Sequence, residues 1–128
     1  MITEDYVSFE TAKLLKEKGF NYPCRVVYSP KGVVKHYLKE EVYAHYLKGH
    51  KKLCPTLQMA MKWLREMHHL SVEVYRTACG YIGCIVAIPS GTDIKFLEED
   101  GDDLNSGTYT KWEYACEAAI KYCLENLL

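Results

Sequence analysis

No apolar run in this sequence approaches the roughly 18 residues that a membrane span requires. The longest, Ile82 to Pro89, is the length of a strand. The opening residues Met-Ile-Thr-Glu-Asp carry neither a basic n-region nor an apolar h-region, so no secretory signal is expected. Charge of one sign is also lacking. Lys and Arg number 16 against 17 Asp and Glu, and a net charge of −1 implies no polyanionic partner from the overall balance. The motifs that mark common chemistry are missing: there is no GxGxxG, P-loop, Gly-x-Ser-x-Gly, His-Glu-x-x-His or Cys-x-x-Cys. Composition and motifs therefore indicate no catalytic residue, no cofactor and no metal.

What is present is globular. Hydrophobic residues make up 48% and charged residues 26% of a 128-residue chain, which is enough to bury a core without staples. A single domain over residues 1–128 is the expectation. The six cysteines (Cys24, Cys54, Cys79, Cys84, Cys116, Cys123) could suggest a disulfide framework. Without a secretory signal they read as free thiols in a reducing compartment, and a cytoplasmic location is expected.

The pattern along the chain predicts an α+β fold, an antiparallel sheet packed against amphipathic helices. Ser8 is a suitable N-cap for a helix from Phe9 to Lys18, and Gly19 a suitable stop. Residues 24–38 read as a hairpin around Ser29-Pro30-Lys31-Gly32. Glu40 to Leu47 suits either a short helix or an irregular connection. From Thr56 to His68, the residues Leu57, Ala60, Met61, Leu64 and Met67 recur at the spacing of a buried helix face, widened by Met59 and Trp63. His68-His69 closes that helix, where an imidazolium would offset the C-terminal partial charge.

Val72 and Val74 alternate with Glu73 and Tyr75 in a half-buried strand. Gly80 to Ile88 is apolar nearly throughout, which predicts a strand that is central or covered on both faces. Asp93 to Leu97 suits a third strand, and residues 98–107 an acidic loop. That loop does not follow the EF-hand pattern, because Leu104 and Lys111 fall where ligands belong. The last helix starts at a capping box, Thr110 to Glu113, and packs Trp112, Ala115, Cys116, Ala119, Cys123 and Leu127. The predicted order is α-β-β-(α)-α-β-β-β-α.

Charge is unevenly distributed. Residues 31–52 hold six lysines against Glu40 and Glu41, with histidines and tyrosines interleaved. Lysines that neutralise phosphates release counterions, and aromatic rings stack on unpaired bases. Lys35, Lys39, Lys48, Lys51 and Lys52, with Tyr37 and Tyr46, are therefore the candidate nucleic-acid or phosphate contacts, provided that they share one face. Eleven tyrosines exceed what a core of this size must hide, and tyrosine suits protein interfaces.

Three segments are familiar: Pro55 to His69 (PTLQMAMKWLREMHH), Glu113 to Leu127 (EYACEAAIKYCLENL) and Tyr6 to Phe20 (YVSFETAKLLKEKGF). Together they resemble small uncharacterised proteins carried by Bacteroidales genomes and their phages or mobile elements. The resemblance implies a bacterial cytoplasm and carries no activity or catalytic residue. Residues 56–127 are also similar in element order to a double-stranded-RNA-binding domain, but the lysine cluster such domains place at the last helix is reduced here to Lys111. The leading expectation is a non-enzymatic accessory protein of a mobile element that acts through a protein partner or by self-association. Nucleic-acid binding through residues 31–52 is the alternative.

Overall fold

The structure, a computed structural model, describes residues 5–22, 24–36, 52–97 and 108–128. It is of mixed α and β content, with two three-stranded antiparallel sheets and three α-helices among the described residues. The chain divides into two compact units, Met1–Ala60 and Met61–Leu128.

In the first unit, helix α1 spans Phe9–Glu17. The Ser8 hydroxyl accepts from the Thr11 amide at 3.2 Å, an N-cap of the kind worth about 1 kcal/mol. The helix closes through Gly19 at φ 88°, with the Gly19 amide donating to the Lys16 carbonyl and the Phe20 amide to the Leu15 carbonyl. This is a Schellman stop, which requires a left-handed residue at Gly19. Thr11, Ala12, Leu15 and Phe20 are buried. Strands β1 (Val26–Tyr28), β2 (Val34–His36) and β3 (Lys52–Leu53) pair in the order β2-β1-β3. The hairpin forms at the expected turn, with the Gly32 amide donating to the Ser29 carbonyl at 2.9 Å. The two-residue β3 was not expected, because so short a segment has no period to read. The possible helix over residues 40–47 lies outside the described residues.

Helix α2 runs over Leu57–His68, and the units divide within it. The Thr56 hydroxyl caps it by accepting from the Met59 amide. Leu57, Ala60 and Leu64 are buried as expected, but Met67 is 57% exposed. Trp63, expected to widen that face, is only 2% exposed. The helix ends at His68, as expected, where His69 adopts φ 56°.

In the second unit, β4 (Leu70–Arg76), β5 (Tyr81–Ala87) and β6 (Asp93–Leu97) form consecutive hairpins with β5 central. Helix α3 follows at Trp112–Tyr122 and continues as a π-helical turn, Cys123–Leu127. The expected capping box does not form. Lys111 is the N-cap, with no side-chain cap bond, and Thr110 falls one residue too early. Helix α3 buries Ala115, Cys116, Ala119, Ile120, Cys123 and Leu124. Its alanines matter because the helix lies close on the sheet. A Cβ on Gly83 would stand 3.0 Å from the Ala115 carbonyl oxygen and 3.5 Å from the Ala119 methyl.

Among the described residues no helix is long and apolar enough to cross a membrane. None of the six cysteines is in a disulfide, and only Cys79 is exposed.

Two predictions follow from these contacts. Gly83→Val should overpack the α3 seat and lower unfolding free energy by about 1–3 kcal/mol, read from urea melts. An unchanged melt would mean that the helix is not seated there. The second concerns alkali. Burial, with Cys54 adding, pushes the Cys24 thiol up to about 12, and burial pushes Cys123 up to about 12. Unfolded thiols ionise near about 8.5. Above that pH the unfolded chain releases protons that the folded chain retains, so stability falls as pH rises; below it the contribution is fully present. The urea midpoint should be level to about pH 8 and decline towards pH 12. Cys123→Ala should reduce the slope by one proton, about 1.4 kcal/mol per pH unit. The same slope in both proteins would rule out a thiol held neutral at position 123.

Candidate interaction surface

The basic segment is only partly described. Lys39, Lys48, Lys51, Tyr37 and Tyr46 lie outside the described residues. Lys35 is exposed on β2 and Lys52 half-buried on β3. Register fixes their faces. Lys35 pairs with Val27, whereas Lys52 pairs with Tyr28, the next residue of β1. Neighbouring residues of a strand point to opposite faces, so Lys35 and Lys52 stand on opposite sides of this sheet. Lys52 instead meets helix α1. Its ammonium lies 5.5 Å from the centre of the Phe9 ring, and that of Lys13 lies 5.3 Å from the same ring. Phe9 is fixed in turn by an edge contact with Tyr28, whose hydroxyl donates to the Val7 carbonyl at 2.8 Å.

Other chemistry is sparse. The acidic loop over residues 98–107 lies outside the described residues. Among the described residues, no three His, Cys, Asp or Glu side chains gather as a metal site. His68 packs edge-on against Trp63, with ring centres 4.6 Å apart. Beside the π-helical turn lies an open groove of about 280 Å³, lined by Leu97, Tyr109, Tyr122, Lys121 and Glu125 among others. Its lining contains neither cysteine nor histidine, so it holds no Cys–His pair for nucleophilic chemistry.

The most distinctive surface carries no sequence motif. The register of β4, β5 and β6 sorts their side chains into two faces. Leu70, Val72, Gly83 and Ile85 are buried on the face towards α3. The opposite, outer face carries Ser71, Glu73 and Tyr75 from β4, Ile82, Cys84 and Val86 from β5, and Asp93 and Phe96 from β6. Across it, Glu73 opposes Cys84, which opposes Phe96; Tyr75 opposes Ile82, and Val86 opposes Asp93. Tyr75 is 46% and Phe96 51% exposed, while Cys84 between them is fully buried. The apolar character expected for β5 is real and the strand is central, but its cover is one-sided: Ile82 and Val86 are only half-buried. Four of the nine large apolar side chains exposed among the described residues (Tyr75, Ile88, Ile94 and Phe96) belong to this sheet or its second turn.

The polar groups of the outer face are acidic. The Ser71 hydroxyl donates to Glu73 at 2.7 Å, and the Cys84 thiol points to Asp93 at 3.7 Å. Burial first, then Asp93, pushes the Cys84 thiol upward, so it remains a neutral, inert part of the face. The Tyr75 phenol is also pushed upward, by desolvation and then by Cys84, and stays protonated. The bases of the same strands turn the other way. Arg76 pairs with Tyr81 and lies 5.0 Å from its ring centre, and the Lys95 ammonium lies 5.7 Å from that of Tyr122 on α3. The alternation of Glu73 and Tyr75 against Val72 and Val74 was the available sequence signal. It separated two faces, but it could not show which of them receives α3. Comparison with known proteins finds no matching family model, no matching curated protein and no matching solved structure.

Proposed function

We propose that this chain is a non-enzymatic interaction protein that holds a protein partner on the outer face of β4, β5 and β6. The observation that carries the reading is that register places Tyr75 and Phe96, each about half exposed, on one sheet face, the one opposite the α3 seat. Exposed aromatics on a shared face are the usual anchors of protein interfaces, and an isolated apolar patch on a soluble domain marks such a site. The resemblance of three segments to small proteins of Bacteroidales mobile elements supports an accessory role in a bacterial cell. A photo-crosslinking benzoylphenylalanine in place of Phe96 should capture a discrete protein in the native cell. The same group in place of Lys62, exposed on α2, should not. Identical capture from both positions, or none from position 96, would overturn the reading.

Contact with nucleic acid or phosphate through residues 31–52 is the second reading. The approach of Lys52 and Lys13 to one ring favours it, because it concentrates two cations beside an aromatic surface. The opposite faces of Lys35 and Lys52 weigh against a continuous track. Titration with labelled single- and double-stranded nucleic acid across a salt series separates the two readings. A real contact weakens steeply as salt rises, with a slope flattened by Lys52→Glu. Absence of binding at low salt sinks it.

A further inference from the structure

The outer face of β4, β5 and β6 has a charge layout that specifies more than apolarity. Its centre is Tyr75, Ile82, Val86 and Phe96, around the buried Cys84. Its two carboxylates, Glu73 and Asp93, sit on the two edge strands and flank that centre. They are two interstrand spacings and about two residues of rise apart, on the order of 12 Å. Neither is neutralised by a base of the same strands, because Arg76 and Lys95 are drawn to aromatic rings on the other side of the sheet. A partner that buries the apolar centre must therefore either supply cations at the two edges or strip water from unpaired carboxylates, which is costly.

We infer that the face receives a cationic amphipathic helix, with apolar side chains on Tyr75 and Phe96 and with Lys or Arg flanking them to meet Glu73 and Asp93; the inference rests on the outer face being the contact surface proposed above. A helix rises about 1.5 Å per residue, so cations seven or eight positions apart span the distance between the carboxylates. Apolar side chains three and four positions from each cation then lie on the same stripe. A second copy of this chain fits poorly. Two outer faces set against each other would double the carboxylates around one apolar surface and bring no base from these strands.

The test uses the full chain and two synthetic 18-residue amphipathic helices of the same apolar pattern, one of leucine and lysine, the other of leucine and glutamate. Binding is read by fluorescence anisotropy at low and high salt. The leucine–lysine helix should bind at least tenfold more tightly than its glutamate counterpart and weaken as salt rises. Glu73→Gln with Asp93→Asn should remove most of that preference, whereas Phe96→Ser or Tyr75→Ser should weaken binding of the lysine helix itself. Both aromatic side chains are about half exposed, so these variants retain the fold, which circular dichroism checks. Equal affinity for the two helices, lost in Phe96→Ser, would overturn the cationic assignment and leave the contact surface standing. Binding indifferent to Phe96 and Tyr75 would overturn both. No binding of either helix would overturn the helical assignment, and the crosslink at position 96 would then decide the surface alone.

Discussion

The close seating of α3 on Gly83 governs the second unit. A strand residue without a side chain lets the helix backbone approach the sheet, and Ala115 and Ala119 keep the facing helix surface equally shallow. Helix and sheet then share a dense layer in which Val72, Ile85, Cys116 and Ile120 are fully or almost fully buried. Two further consequences follow from that single approach. The helix brings Tyr122 to the sheet, where its ring attracts Lys95, and cation and ring lie on the covered side. The other side of the same strands carries Tyr75 and Phe96 and is not the side on which α3 is seated. Both faces are apolar at their centres, but the bases Arg76 and Lys95 lie on the inner side and the carboxylates Glu73 and Asp93 on the outer.

Much of this architecture was legible in the sequence. The two strong helical periods, the turn chemistry at Ser29–Gly32 and the alternation in β4 each correspond to an observed element, because each is a local signal repeated over several residues. The errors share a different cause. Met67 is exposed although it lies on the expected face, because a helical period names a stripe about 100° wide, and tertiary contacts decide which of its margins is buried. The Thr110 to Glu113 capping box fits the pattern but not the backbone, which enters the helix at Lys111. β5 read as central or covered on both faces, and it is central; a run of apolar residues does not record which of the two applies. Cys84 is fully buried on the face opposite α3, where its strand neighbours include Ile82, Val86 and Phe96.

The candidate site shows the same limit more sharply. Lysine density over residues 31–52 is a property of the chain in one dimension, whereas an electrostatic contact requires a face. Register is the missing information: a displacement of one residue along β1 separates Lys35 from Lys52 by the thickness of the sheet. The outer face of the second sheet was invisible for the converse reason. Its residues come from three strands, no two of them adjacent in sequence, and only pairing brings Glu73, Cys84 and Phe96 into one row.

An open apolar face on an edge-bearing sheet carries a risk of indiscriminate pairing, and the strands contain features that limit it. β6, an edge, bears Lys95 at its middle, and the register shifts between Ile85 and Val86, so the edge is neither flat nor regular there. Glu73 stands on the opposite edge. These features act on the edges and spare the centre. Tyr75 and Phe96 could be replaced by polar residues without disturbing the α3 seat, since neither faces it. Their presence between guarded edges, beside Glu73 and Asp93 that no base of the same strands neutralises, suits the partner surface proposed above, with the apolar centre supplying affinity and the flanking charge supplying discrimination.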